Sequence, residues 1–436
     1  MKEIKVGLLG FGTIGTGVVK VLQQNAALIE DRLGARLTLT RIADLDITTD
    51  RGVTVDPALL TTDADAVLSA PDIDLVIELI GGYEPARSFV LKAIAQGKHV
   101  VTANKALLAL HGEEILTAAQ QQGVDVYYEA AVGGGIPIIS AIRENLCANR
   151  INGVFGILNG TCNYILSRMT NEGDDYAAVL KDAQDLGYAE ADPTFDVEGV
   201  DTAHKLAILI ALCFGTRVRF EDIYTEGISN ISALDIQFAS QFGLRIKLLA
   251  IGKHENGQIE ARVHPTMIPV NLPLADVHGA FNAVRLVGDF LGPAMLYGLG
   301  AGMEATASAV MGDCMAIARN MLGGCAGRTP ALGYMPAAIG NLTIKPMDDI
   351  VSHYYLRFAA DDKPGVLAKI AGILGNHDIS ITSMIQPERQ IGGAVPIVMM
   401  TNEAKEANLR QALAEIDALP VIEDQSRFIR IENELA

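Results

Sequence analysis

Tryptophan is absent and aromatic residues make up only 5% of the chain, so its cores must be built from aliphatic side chains. Cysteine is scarce as well. The five present (Cys147, Cys162, Cys213, Cys314 and Cys325) are scattered through mostly apolar contexts without metal-ligand spacing, which points to reduced, buried thiols and to neither disulfides nor zinc. Long hydrophobic runs are missing too: the longest, near Leu206 to Phe214, is about nine residues, far short of the roughly 20 that span a bilayer. The N-terminus, MKEIKVGLLGFG, passes from two lysines into a strand-like run without a secretory cleavage pattern. Positive charge is the last shortage. With 34 basic against 52 acidic residues the net charge is −18, which repels phosphate backbones and anionic membranes, so neither nucleic acid nor membrane is expected as a partner. A cytoplasmic enzyme is the simplest placement, and 436 residues allow two or three domains.

Within these limits the first 130 residues alternate short apolar strands with helical patterns. Strand-like runs fall at Ile4 to Leu9, Leu37 to Ala43, Leu75 to Ile80, His99 to Thr102 and Val124 to Glu129, the rhythm of an α/β, Rossmann-type doubly wound parallel sheet. The turn after the first strand is Gly10-Phe11-Gly12-Thr13-Ile14-Gly15, a G-x-G-x-x-G pattern. Gly10 permits the tight turn, Gly12 lets a pyrophosphate approach the backbone, and Gly15 lets helix and strand pack closely. The second strand ends at Asp44, where an acid would receive the ribose hydroxyls of NAD, while Arg41 and Arg51 stand near enough in sequence to leave the 2′-phosphate of NADP open. The cofactor is thus NADP or NAD. Thr102, Asn104, Lys105 and Gly187 are further candidate contacts, Lys105 because strand C-terminal ends in such sheets face the ligand crevice.

Domain 1-133 is accordingly a dinucleotide-binding unit, with a return segment near 300-320 in the glycine-rich stretch YGLGAGMEATASAVMGD. Alternation lapses over 134-340, which suits an α+β substrate and dimerisation domain. After a composition break near Met335 to Asp349, residues 350-436 follow the order βαββαβ of a ferredoxin-like unit.

The densest chemistry lies in GYAEADPTFDVEGVDTAHK, Gly187 to Lys205. Five carboxylates (Glu190, Asp192, Asp196, Glu198, Asp201) precede one lysine and an apolar helical run closed by Gly215, with Asp201 and Lys205 four residues apart on one helix face. Two readings fit this segment alone: a site for an amine-bearing substrate, or a solvated acidic loop followed by a helix salt bridge.

Together with GFGTIG, ELIGGYEPA, VTANKALLA, YEAAVGGGIPII and GILNGTCNYILSRM, this segment resembles homoserine dehydrogenase across essentially all of residues 1 to 320. The stretch DDKPGVLAKIAGIL resembles an ACT domain, an amino-acid-sensing module. The resemblance implies reversible NAD(P)-dependent interconversion of L-homoserine and L-aspartate 4-semialdehyde in threonine, methionine and isoleucine biosynthesis. It assigns catalysis to Lys205 and Lys105 with Asp201 pairing Lys205, and substrate binding to Glu190, Tyr188 and Asp196. It further implies a monovalent cation, sodium, at Glu129 and the carbonyls of Val132, Gly134 and Ile136, in keeping with the oxygen ligands that hard cations prefer. Gly302 matches a cofactor contact, although Leu299 and Met303-Glu304 depart from the family pattern beside it. Threonine is the implied effector, at Asp361 to Leu367, and a homodimer or homotetramer the implied assembly. Asp192 and Glu198 are left to solvent.

Two other classes compete. A covalent aldehyde dehydrogenase would need Cys162 as an activated nucleophile. A non-catalytic nucleotide-sensing regulator would account for the glycine turn and the C-terminal unit but leave the lysines without a task.

Overall fold

A computed structural model describes residues 1–386 and 395–435. The chain folds into two compact units. The first comprises Met1–Gly160, Asp201–Ile223 and Ala280–Leu342, the second Thr161–Val200, Tyr224–Gly279 and Thr343–Ala436. These units cut across the segments 1-133, 134-340 and 350-436 expected from the sequence, because the chain leaves the first unit and re-enters it twice.

In the first unit six parallel strands lie in the order Leu60–Thr61, Ala35–Ala43, Lys2–Leu9, Leu75–Glu78, His99–Thr102, Val126–Tyr127, the Rossmann arrangement. The strands Leu75–Glu78 and His99–Thr102 are buried at every residue, as expected where helices cover both faces of a parallel sheet. The helix Thr13–Gln24 follows the first strand, and a further helix, Ala26–Leu33, ends on the left-handed Gly34 before the second strand begins. That inserted helix explains why Asp44 lies so far beyond the glycine turn.

The return segment is the helix Met303–Gly323, which packs on Thr13–Gln24 closely enough that a Cβ on Gly17 would stand 2.8 Å from Met303 Cγ and 2.9 Å from Ala307 Cβ. Val18, Val310 and Ile317 share one aliphatic core with the sheet. The helix Val200–Phe214 is buried on almost every side, which matches its apolar composition, and Gly215 at φ +59 closes it. A three-stranded antiparallel ribbon, Ile151–Ile157, Phe281–Gly288 and Gly292–Leu299, completes this unit.

The second unit is built on the hairpin Leu244–Glu255 and Gln258–Pro269, whose Asn256-Gly257 turn has both residues at positive φ, the geometry that an Asn-Gly pair favours. Its C-terminal part has the expected βαββαβ order, with antiparallel strands Ile422–Ile431, Val351–Ala360, Val395–Thr401 and Ile381–Ile385 covered by helices Val366–Asn376 and Glu406–Asp417. The composition break near Met335 does not make this part a loose appendage. Strand Ile422–Ile431 pairs in parallel with the hairpin through Thr266–Arg430 and Met267–Ile431. Arg430, 1% exposed, is held there by Glu406 at 2.6 Å and Glu226 at 2.9 Å.

Candidate active site

The glycine turn of the first unit has the properties a dinucleotide requires. Gly10 sits at φ +95, and a Cβ there would lie 2.7 Å from the carbonyl of Leu79, so only glycine fits. Gly12 has no heavy atom within 4 Å of its would-be Cβ and caps the helix Thr13–Gln24, leaving open space at a helix N-terminus. Ile14 lies on that helix's exposed-to-intermediate first turn with Thr13, and Gly15 packs against the Gly10 carbonyl.

Asp44 is drawn to this turn: its carboxylate accepts the amide hydrogens of Phe11 and, at 2.9 Å, of Asp46. The two flanking arginines separate. Arg41 pairs with Asp72 at 3.0 Å, whereas Arg51 lies 3.7 Å from Asp44, donates to the Asp46 carbonyl at 2.7 Å and stacks 5.1 Å over the Phe11 ring.

Beyond the fifth strand, Thr102 and Asn104 use their side chains to shape the turn that presents Lys105. Thr102 Oγ1 donates to the buried Glu78 at 2.6 Å and accepts from Asn104 N at 3.0 Å, while the Asn104 carboxamide caps the helix Lys105–Gln122 through Leu107 N and donates to Gly82 O. Glu78, fully buried, also accepts from Ile80 N. Nothing in its local sequence marked it as a support for this turn.

The carboxylate of Asp201, 1% exposed, is the centre of the site. Lys105 Nζ lies 2.6 Å from one oxygen and Lys205 Nζ 2.7 Å from the other. Lys205 also donates to the Leu158 carbonyl at 2.7 Å, and Asn159 Nδ2 donates to Asp201 at 2.9 Å. Burial alone would push the Asp201 carboxyl up, but the ammonium groups of Lys205 and Lys105 outweigh it and hold the group well below the usual carboxylate range. Lys205 is buried and Lys105 is 37% exposed in its side chain, so one ammonium is enclosed and the other reaches solvent. Such an arrangement holds two positive charges side by side, a pattern suited to stabilising an oxyanion.

The glycine-rich loop after Glu129 carries the carbonyls expected to hold a cation. Gly133 and Gly134 adopt positive φ (73 and 54), and a Cβ on Gly134 would meet the Gly300 carbonyl oxygen at 2.5 Å, so the turn is compact and glycine-dependent. The Glu129 carboxylate accepts from Ile139 N at 2.7 Å and Ser140 N at 2.8 Å, and the Ile136 carbonyl accepts from Ile138 N. No cluster of three His, Cys, Asp or Glu side chains suited to a metal exists among the described residues. An oxygen-only, carbonyl-dominated set fits a hard monovalent ion in kind and does not fit a side-chain chelate for a transition metal. Asp313, unmarked in the sequence, accepts from Glu129 N at 2.7 Å; burial, reinforced by the Glu129 carboxylate, pushes its own carboxyl up to about 8. Gly302 stands at φ +112 as the cap of the helix Met303–Gly323, with Leu299 51% exposed nearby in sequence.

The second unit carries the acidic loop. Gly187 (φ +77), Tyr188 and Glu190 are exposed, and the loop is held by its backbone: Thr161 Oγ1 donates to Tyr188 O at 2.6 Å and Gln184 Nε2 to Glu190 O at 3.1 Å. The Tyr188 ring stacks on Tyr164 at 4.6 Å. Asp196 is half-buried and accepts from Thr161 Oγ1 at 3.5 Å. Asp192 is exposed and accepts from Thr194 N, a turn-forming task that leaves it to solvent as expected. Glu198 departs from that expectation: it is half-buried, its carboxylate close enough to Gly227 that a Cβ there would meet it at 2.5 Å. Cys162 is fully buried and donates to Asp196 O at 3.2 Å, an enclosed thiol rather than an activated nucleophile. In the ferredoxin-like part, Asp361, Lys363, Gly365 and Leu367 line a cavity of about 510 Å³ with Gln386 and Ile397, and Gly365 (φ +90) opens the helix Val366–Asn376. No helix among the described residues is long and apolar enough to cross a membrane.

Comparison with known proteins finds relatives along the whole chain. The family profile described as homoserine dehydrogenase matches residues 137–315, that of the homoserine dehydrogenase NAD binding domain matches 10–129, and that of the ACT domain matches 354–421. The homoserine dehydrogenases of Neisseria gonorrhoeae and Pseudomonas aeruginosa are each 46% identical, over 433 and 435 residues that cover 99% of both chains in each pair. The crystal structure of a homoserine dehydrogenase from Thiobacillus denitrificans superposes with a TM-score of 0.94 at 48% identity, covering 100% of this chain and 99% of that one.

Proposed function

The chain belongs to the homoserine dehydrogenase family, and on that premise we propose how its residues divide the work of interconverting L-homoserine and L-aspartate 4-semialdehyde. Reduction of the aldehyde requires a hydride at carbon and a proton at oxygen. The nicotinamide, when bound, supplies the hydride. Lys205 supplies the proton: one N–H bond of its ammonium breaks as the O–H bond of the alcohol forms, and a proton is restored to the neutral amine by way of Asp201 from the solvent-reaching Lys105, which recovers one from water. Lys105 stabilises the developing alkoxide, and Asp201 keeps both ammonium groups charged and aimed. The observation that carries this reading is the 2.6 and 2.7 Å bridge of one buried carboxylate between the two lysines.

Glu190 accepts from the substrate α-ammonium, with Tyr188 and Asp196 completing that subsite. Support comes from the exposure of Glu190 on a loop whose backbone is anchored. For the cofactor, Gly10 to Gly15 receive the pyrophosphate, Thr102, Asn104, Lys105, Gly187 and Gly302 border the dinucleotide, and Asp44 accepts from the ribose hydroxyls. Because Asp44 faces the turn while Arg41 is engaged with Asp72, NAD is preferred to NADP. A sodium ion held by Glu129 and the carbonyls of Val132, Gly134 and Ile136 would stiffen the loop between strand and ribbon. Threonine acts as effector, its carboxylate at the amides that open the helix Val366–Asn376, and the enzyme works in the cytoplasm as a homodimer or homotetramer.

Lys205→Ala tests the assignment. It is expected to lower kcat by roughly a hundred- to ten-thousand-fold while leaving the dissociation constant of the dinucleotide unchanged. Near-normal turnover would remove Lys205 from the chemistry. Parallel assays with NADH and NADPH, with and without threonine, test the cofactor preference and the effector.

A further inference from the structure

The hairpin strand Leu244–Glu255 carries a second enclosed lysine for which the reaction has no use. Lys247 is 1% exposed, and its ammonium donates to the Val277 carbonyl at 2.5 Å and to Asn163 Oδ1 at 3.1 Å. Both acceptors are neutral. Burial, aided by the nearby Arg245 charge, lowers the Lys247 pKa to about 7, so the group is held at a cost that a methionine of similar length would not incur.

What this lysine does is fix an amide. With Nζ donating to Oδ1, the Asn163 carboxamide must turn its Nδ2 hydrogens the other way, where they reach Val277 O at 3.0 Å and Gly279 O at 2.9 Å. Ser167, one turn further along the same helix, accepts from Gly279 N at 3.1 Å. Lysine, asparagine and serine together clamp the helix Gly160–Glu172 to the 277–279 segment. The opposite side of that helix holds the acidic loop: Thr161 Oγ1 donates to Tyr188 O, Cys162 to Asp196 O, and the Tyr164 ring stacks on Tyr188.

We propose that Lys247 is a positioning residue for substrate recognition, acting through Asn163 and the helix Gly160–Glu172 to set the place of the loop that bears Tyr188 and Glu190. The proposal rests on the reading that this loop binds the substrate ammonium. The lysine reaches the loop through the helix, so its removal is expected to displace the recognising groups.

The test is steady-state kinetics on the full-length enzyme carrying Lys247→Met, Asn163→Asp, Asn163→Ala, or Lys247→Met with Asn163→Ala. Asn163→Asp keeps an acceptor for the buried ammonium but loses both donors, and therefore remains informative if Lys247→Met fails to fold. Each single variant is expected to raise the homoserine KM about ten-fold, as a displacement of about an ångström in a positioning group can do, with the dinucleotide KM within about two-fold of the parent. The double variant should be no worse than the poorer single one, since both changes break one clamp. A homoserine KM unchanged in folded Lys247→Met or Asn163→Asp, or effects that multiply in the double variant, would overturn the proposal. Glu190→Gln measured alongside keeps the two questions apart: an unaltered homoserine KM there removes Glu190 from the subsite, whereas the Lys247 outcome is judged on its own variants.

Discussion

Each compact unit buries a lysine against a backbone carbonyl, and the difference between the two lies in the second acceptor. In the first unit Lys205 has Leu158 O and the Asp201 carboxylate, each at 2.7 Å; in the second, Lys247 has Val277 O and the neutral amide of Asn163. A carboxylate compensates the buried charge and keeps an ammonium available for proton transfer. An amide compensates nothing but is itself oriented by the bond. On the assignments proposed above, the same side chain, enclosed to a similar degree, serves chemistry in one place and geometry in the other.

Replacing the compensating carboxylate should break this contrast most severely. Asp201→Asn leaves two ammonium groups facing a neutral amide, and we expect kcat/KM to fall by about a thousand-fold and unfolding free energy by about 3 kcal/mol, the scale for stranding a buried charge. Denaturant titration and initial rates check it; a variant that keeps its stability would mean that the pairing with Asp201 does not matter to the fold. A smaller effect follows from acidity. The folded-state pKa of Asp201 is depressed, so its contribution to stability is complete above the ordinary carboxylate range near 4 and is lost as pH falls through the folded value. The stability gap between parent and Asp201→Asn should therefore hold steady above about pH 5 and narrow as pH falls below about 4, and a constant gap through the acid range would contradict the assignment.

Lys247 supplies the most discriminating effect. Its folded-state pKa, lowered to about 7, lies below the unfolded one, so its contribution is complete at high pH and is lost as pH falls toward 7. Relative to Lys247→Met, the parent should lose about 3 kcal/mol between about pH 10 and about pH 7.5. No pH dependence in that difference would show the lysine to be compensated after all.

Much of the catalytic cluster was legible in the chain. The four-residue spacing of Asp201 and Lys205 predicts their pairing on a helix, and the glycine turn announces the first strand and helix of the sheet. Asn159, Lys247 and Asp313 were not legible, because their partners lie 42, 84 and 184 residues away, a separation that no local pattern encodes. Lys247 is instructive. Strand alternation puts it on the same face as Arg245, which reads as a solvent face, yet both faces of that strand are buried along most of its length. Thr102 and Asn104 were singled out for the right turn, but their side chains mainly build it. The half-buried Glu198 was misread because its enclosure is decided by distant backbone, here Gly227.

The central claim is that Lys105 and Lys205 act as one unit through Asp201. Measuring kcat for Lys105→Ala, Lys205→Ala and the double variant tests it most directly. A shared function predicts that the double variant is only a few-fold slower than the slower single one. Losses that multiply would show two lysines acting independently and contradict the account.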